Sequence, residues 1–109
     1  MGVKTANRIV DESKELCKEI QAVALDSFFE NKQDKPTFIK ADVEGSESDL
    51  IRGAEQIIRG NKPMIAICVY HQIEDLFEIP IRLKQLNPEY RMAVRHHMLN
   101  YHETVLYCY

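Results

Sequence analysis

The stretch TFIKADVEGSESDLIRGAEQIIRGNKPMIAICVYH, residues 37–71, decides the fold of this 109-residue chain. It begins with an extended run, residues 37–43, whose apolar residues favour a strand that is covered on both faces. It closes with MIAICVY, residues 64–70, a continuous apolar run that is typical of a buried central strand. Two such strands with a helix between them predict a parallel crossover unit, which is almost always right-handed.

The helix between the two strands has local start and stop signals. Ser46 and Asp49, three residues apart, have the pattern of a capping box at a helix start. Apolar residues then recur at three- and four-residue spacing over residues 50–58, as on the buried face of a helix. Gly60 predicts the end of this helix.

The flanking segments complete a mixed order of helices and strands. Residues 19–26 suit a short strand, followed by a helical turn, and a later helix is predicted to restart at Pro80. The chain closes with two alternating runs, residues 90–97 and 103–109, which predict an antiparallel hairpin at one edge of the sheet. Residues 1–18 are a lead-in that we interpret as a short strand and turn. The fold class is therefore α/β, in a single domain of residues 1–109.

Composition and charge exclude several classes of protein. With 45% hydrophobic and 28% charged residues, the chain has the composition of one folded domain. Its formal charge of -3 gives no broad positive field, so we expect neither a nucleic-acid nor a membrane partner. The three cysteines lack zinc spacing and a disulfide framework, and the first residues lack an apolar signal segment, which together indicate a cytoplasmic protein.

Polar side chains follow the two parallel strands, where ligands bind in open α/β sheets. Asp42, Glu44 and Glu47 surround Gly45 after the first strand, and His71 follows the second. A carboxylate at the end of a buried strand, such as Asp42, is costly unless it is paired or functional. Together these groups can deprotonate a hydroxyl, hold a divalent metal, or orient a polar substrate.

Structural interpretations stand beside these functional ones. Glu47 and Asp49 lie in a first helical turn, where the helix dipole alone favours acids. A lone histidine such as His71 is more often structural than catalytic. His96 and His97 are adjacent in an alternating strand, so at most one of them can face a shared site.

Four motifs in order resemble the C-terminal half of FkbM-type S-adenosylmethionine-dependent methyltransferases. The motifs are DVEGSE at residues 42–47, RGAE at 52–55, VYH at 69–71 and LNPEYR at 86–91. The likeness runs from about residue 23 to residue 107. It implies part of a class I methyltransferase sheet, which is Rossmann-like, with this chain supplying the fourth and fifth strands and the closing antiparallel pair.

The resemblance also implies an activity and roles for residues. The reaction is methyl transfer from S-adenosylmethionine to a hydroxyl of a sugar, polyketide or other small metabolite. Asp42 would be catalytic and contact the cofactor, His71 would be the catalytic base, and the substrate contacts would be Glu44, Glu47 and His97. The glycine-rich turn that holds the cofactor in these enzymes does not occur in these 109 residues. We therefore expect this chain alone to be inactive.

Two other functions stay open. A noncatalytic interaction or dimerisation module can retain this half-fold, because the strand at residues 37–43 would have an unpaired edge that favours self-association. A metal site formed by Asp42, Glu44 and His71 is the third possibility, although the resemblance assigns no metal to the chain.

Overall fold

The computed structural model of the chain describes residues 3–5, 18–97 and 103–109. Its strands are β1 (Val3–Thr5), β2 (Gln21–Val23), β3 (Phe38–Ala41), β4 (Met64–Cys68), β5 (Met92–His96) and β6 (Thr104–Cys108). Its helices are α1 (Leu25–Phe29), α2 (Glu47–Arg52), α3 (Glu55–Asn61) and α4 (Asp75–Leu86). The predicted lead-in turn and the loop of the last hairpin lie outside the described residues. Within the described ranges, no helix combines the length and apolar character needed to cross a membrane.

A four-stranded mixed sheet organises the chain, in the order β3-β4-β6-β5. β3 and β4 are parallel, with Phe38 opposite Met64, and β6 is antiparallel to both β4 and β5. β1 and β2 form a separate antiparallel pair. The predicted parallel crossover and the predicted antiparallel hairpin at one edge are therefore confirmed.

The hydrophobic core lies on one face of this sheet. The buried strand residues are Ile39, Ala41, Ile65, Ile67, Leu106 and Cys108, and the helix residues packed with them include Ile51, Ala54, Ile58, Ile79, Leu83 and Leu86. Side chains alternate along a strand, and on the opposite face Phe38 and Met64 are 54% and 52% exposed. Among the described residues β3 is thus covered on one face, and the prediction of cover on both faces is wrong.

The helix predicted between β3 and β4 is two helices, and Asp26 explains the break. The Asp26 carboxylate accepts hydrogen bonds from the backbone N–H groups of Gln56 (2.8 Å) and Ile57 (3.0 Å), which caps α3. The Asp26 N–H donates to the carbonyl of Gly53 at 2.8 Å. A Cβ on Gly53 would lie only 3.1 Å from the Cβ of Ala24. The chain before β3 therefore docks at the break between α2 and α3.

The predicted helix start is confirmed, since α2 begins directly after Ser46, but the predicted capping box, helix end and restart differ from the structure. Ser46 makes no side-chain capping hydrogen bond, so it does not form a capping box. Gly60 lies inside α3, whose C-terminal cap is Lys62 in the left-handed conformation, with φ of 46°. α4 runs through Pro80 without restarting there. Proline has no N–H to donate, and burial of neighbouring Ile79 in the core stabilises α4 in spite of this loss.

The LNPEYR motif closes the core. The fully buried Tyr90 donates its hydroxyl hydrogen bond to the carbonyl of Pro63, just before β4. The side-chain amide of Asn87 donates to the carbonyl of Ile58 in α3 at 3.1 Å. The Lys84 ammonium donates to the carbonyl of Tyr90. This motif therefore ties α4 to α3 and β4, and its role is structural.

Replacing Tyr90 with phenylalanine should lower the free energy of unfolding by about 1–3 kcal/mol, because the buried Pro63 carbonyl loses its donor. Urea denaturation followed by circular dichroism measures this change. The matched control is Tyr109→Phe, at an exposed tyrosine, which should alter the free energy by less than about 0.5 kcal/mol. Equal stability of Tyr90→Phe and the unmodified chain would contradict the structural role of the hydroxyl.

Candidate active site at the ends of β3 and β4

The carboxyl ends of the two parallel strands bring two predicted site residues together. Asp42 directly follows β3, and His71 lies three residues beyond the end of β4. Their side chains meet, with Asp42 Oδ1 3.3 Å from His71 Nε2. The pair arises from the parallel register, because parallel neighbours end at the same edge of a sheet.

Glu47, the first residue of α2, holds the turn that carries Asp42. Its fully buried carboxylate accepts hydrogen bonds from the backbone N–H groups of Val43 (2.7 Å) and Gly45 (3.0 Å). Within this turn Glu44 and Gly45 adopt positive φ values, 54° and 100°, and the glycine at the larger value avoids the steric cost of a Cβ there. Glu47 is therefore not an exposed acid whose only effect is to complement the dipole of α2.

His71 lies among three carboxylates. Its side chain is only 10% exposed; Nε2 is 3.3 Å from Asp42 Oδ1 and 3.5 Å from Glu44 Oε2, whereas Nδ1 is 3.2 Å from Glu47 Oε2. The Tyr70 ring lies against the imidazole, with 4.1 Å between ring centroids. Neither ring nitrogen makes a hydrogen bond with a protein group, although both are buried. We call Asp42, Glu44, Glu47 and His71 the acidic cluster.

The acidic cluster has an open side and a closed side. The side chains of Asp42 and Glu44 are 42% and 76% exposed, whereas that of Glu47 is inaccessible. The Nε2 side of His71 therefore faces the exposed carboxylates of Asp42 and Glu44, although the Nε2 atom itself is buried. The Nδ1 side is closed by Glu47.

Burial and the charge of the cluster raise the pKa values of neighbouring groups. Burial, followed by the charge of Asp42, raises the pKa of the Cys68 thiol to about 11. The same two causes, in the same order, raise the pKa of the Tyr70 hydroxyl. Both groups are therefore protonated at neutral pH, and neither is suited to act as a nucleophile.

Asp75, the first residue of α4, is a buried carboxyl beside the cluster that the sequence analysis missed. Burial raises its pKa, the charge of Glu47 raises it further, and a hydrogen bond with Ser48 opposes the shift. Its Oδ2 atom is buried without a hydrogen-bond partner. In the sequence Asp75 looks like an ordinary acid in a first helical turn, so no local signal distinguishes it.

The structure does not bring His97 into the acidic cluster. His97 follows β5, and its Nε2 is 2.8 Å from the Tyr107 hydroxyl, while His96 Nδ1 is 2.8 Å from Thr104 Oγ1. β6 separates β5 from β4, and since neighbouring strands are about 4.8 Å apart, β5 lies roughly 10 Å from β4. The assignment of His97 to the substrate stays a prediction.

Replacing Glu47 with alanine should lower the free energy of unfolding by about 1–3 kcal/mol, because the N–H groups of Val43 and Gly45 lose their acceptor. Chemical denaturation measures the loss, and amide hydrogen exchange at those two residues should accelerate. The control is Asp49→Ala, which removes an exposed carboxylate that pairs with Arg52 at 2.7 Å. This control should change stability by less than about 1 kcal/mol. If both variants had the same stability, Glu47 would not hold the turn.

Comparison with known proteins supplies the family. The family model described as Methyltransferase FkbM domain matches residues 4–101 of the chain. The chain is also similar to the crystal structure of Methyltransferase FkbM from Methylobacillus flagellatus KT, with 36% identity and a TM-score of 0.75. That similarity covers 84% of this chain and 24% of the other, so this chain spans about a quarter of the length of its relative. No curated protein matches the chain significantly. Since the family model covers most of the sequence and the solved structure shares its fold, the chain belongs to the FkbM methyltransferase family.

Proposed function

We propose that this chain forms the acceptor side of an S-adenosylmethionine-dependent methyltransferase that methylates a hydroxyl of a sugar, polyketide or other small metabolite. The observation that carries the proposal is the position of His71 Nε2 beside Asp42, on the open side of the acidic cluster. This is the edge of an α/β sheet at which ligands bind. Family membership supplies the reaction class. A cytoplasmic location completes the proposal, based on three cysteines that lack a disulfide framework.

The described residues do not fit a site for the whole cofactor. Gly45 lies four residues after the end of β3, and its N–H donates to Glu47, so this N–H is not free for a ligand. Gly53 and Gly60 belong to the α2–α3 region, away from strand ends. Asp42 can therefore provide one contact to the cofactor, which supplies the transferable methyl group when bound. We propose that this chain alone does not bind the cofactor and is inactive.

The residues on the open side suit a hydroxyl acceptor. Methyl transfer to oxygen requires that the hydroxyl be aligned and that its proton be removed as the oxygen attacks. The carboxylate of Asp42 can accept a hydrogen bond from the hydroxyl, and His71 Nε2, 3.3 Å away, can take the proton. Glu44, on the same exposed side, suits a second hydroxyl of a polyol. The contact of Glu47 with Nδ1 and that of the Tyr70 ring limit rotation of the imidazole.

Replacing His71 with alanine should reduce methyl transfer by about 10²- to 10⁴-fold, the usual contribution of a positioned base. The assay uses the protein purified with its native partners, radiolabelled S-adenosylmethionine and a set of hydroxyl compounds. His96→Ala is the matched control, because His96 lies on β5 and contacts Thr104. It should retain the activity. Methyl transfer that is equal in both variants would exclude His71 as the base.

A dimerisation module is the second candidate function, and the exposure of β3 favours it. Within the described residues β3 is an edge of the four-stranded sheet, and Phe38 exposes 54% of its surface. An exposed apolar edge strand can pair with a second copy of the same strand. In this proposal two chains associate through antiparallel pairing of their β3 strands.

Replacing Phe38 with lysine should shift the chain from dimer to monomer, because a charge on an edge strand opposes pairing. Light scattering coupled to size-exclusion chromatography measures the molar mass. The control is Val94→Lys on β5, at the other edge of the sheet, where the side chain has the same exposure of 54%. This variant should remain dimeric. A monomeric unmodified chain at high concentration would contradict association through β3.

A further inference from the structure

The imidazole of His71 is buried without a hydrogen bond. Its side chain is nine-tenths buried and lies among the carboxylates of the acidic cluster, and neither ring nitrogen has a hydrogen-bond partner. The contacts of 3.2–3.5 Å with these carboxylates are longer than the roughly 2.7–2.9 Å of a charged hydrogen bond. A buried polar atom without a partner is rare, and a bound ion is one of its physical explanations.

The arrangement of acids around His71 also favours a cation. Asp42, Glu44 and Glu47 each place a carboxylate oxygen within 3.5 Å of the ring, so three acidic side chains converge on one imidazole. A divalent cation between Nε2 and the oxygens of Asp42 and Glu44 is attracted by all three atoms.

The distances match a coordination shell. With metal–ligand bonds of about 2.0–2.3 Å, neighbouring ligand atoms lie roughly 3–3.6 Å apart in octahedral or tetrahedral geometry. Nε2 of His71 is 3.3 Å from Asp42 Oδ1 and 3.5 Å from Glu44 Oε2. Ligand atoms of Asp42, Glu47 and His71 also lie within 4.8 Å of one another, so Asp42 and His71 belong to this group whereas Glu44 joins the proposed site only through its 3.5 Å contact with Nε2.

Glu47 is placed to orient the ligand and not to bind the cation itself. Both of its carboxylate oxygens already accept backbone hydrogen bonds, and Oε2 lies beside Nδ1, on the closed side of the ring. A carboxylate beside the nitrogen that does not bind the metal commonly orients a histidine ligand. Glu47 Oε2 has this position, 3.2 Å from Nδ1, although the contact lacks hydrogen-bond geometry. The lone pair of Nε2 then faces Asp42 and Glu44.

We propose that Asp42, Glu44 and His71 Nε2 bind a divalent cation, of the Mn²⁺ or Zn²⁺ class. Two carboxylate oxygens and one imidazole nitrogen form the mixed donor set that these cations accept. The exposed side of Glu44 leaves coordination positions for water or for a substrate hydroxyl. Cation binding itself does not depend on the proposed function. As a deepening of that function, the cation would bind the hydroxyl and ease the loss of its proton, which would pass to water on the exposed side of Glu44. His71 would then be a ligand and not the free base.

The test is cation binding by the full 109-residue chain after treatment with a chelator. Mn²⁺ is titrated in, and free Mn²⁺ is followed by electron paramagnetic resonance. We expect a dissociation constant in the micromolar range, at least about tenfold weaker binding in Asp42→Asn, and unchanged binding in Asp49→Asn. Binding that is no tighter than about 1 mM, or equal affinity in all three proteins, would overturn the proposal.

A second measurement locates the cation and does not depend on whether the Asp42→Asn variant folds. In proton NMR, Mn²⁺ should broaden the ring signals of His71 before those of His96 and His97. The exposed Glu44→Gln variant, whose circular dichroism should match that of the unmodified chain, should lose this selectivity. Equal broadening of all histidines would overturn the cation site.

The two proposals fail separately. If methyl transfer by the protein purified with its native partners persists in the presence of a chelator and still requires His71, the proposed function stands. The role of the cation in activating the hydroxyl is then overturned. Selective cation binding at His71 in a protein without methyl transfer keeps the cation site and removes the proposed function.

Discussion

The buried carboxylate of Glu47 is the group on which the acidic cluster depends. One side chain fixes the turn after β3 by accepting the N–H groups of Val43 and Gly45, and the same side chain closes the Nδ1 side of His71. A fully buried carboxylate is costly unless its oxygens are satisfied, and here backbone donors and the imidazole surround it. Glu47 thus couples the turn, the start of α2 and the direction of the imidazole. Its position leaves Nε2 as the nitrogen that faces the open side.

The rest of the fold positions the two strands that carry this arrangement. Asp26 caps α3 from outside the crossover, and Tyr90 joins the end of α4 to the residue before β4. These long-range contacts fix how the helices pack on one face of the sheet, which in turn fixes the edge where Asp42 and His71 meet. The other face of β3 remains exposed at Phe38. Because the chain spans about a quarter of the length of its solved relative, that exposed face and edge suit contact with further structure, such as the second copy of the chain in the dimer hypothesis.

Local patterns in the sequence predicted the main elements and the meeting of Asp42 with His71. β4 was predicted from a continuous apolar run. Because parallel neighbours end at the same edge of a sheet, the prediction that Asp42 and His71 meet followed from the topology. The break between α2 and α3 could not be predicted, because the capping group, Asp26, lies 30 residues before the N–H group of Gln56 that it binds. The role of Glu47 was hidden for a similar reason, since an acid in a first helical turn has an ordinary explanation. The exposure of Phe38 depends on which residues cover that face of the sheet. The pattern of apolar residues within one strand does not reveal this.

The central claim is that Glu47 directs the lone pair of His71 Nε2 to the open side of the cluster, as both a base and a cation ligand require. The most direct measurement is the nitrogen chemical shifts of the His71 ring by NMR, in the chelator-treated chain at about pH 8.5, where an ordinary histidine is neutral. We expect a protonated Nδ1 next to Glu47 and an unprotonated Nε2. A ring protonated at Nε2 and bare at Nδ1 would contradict the account.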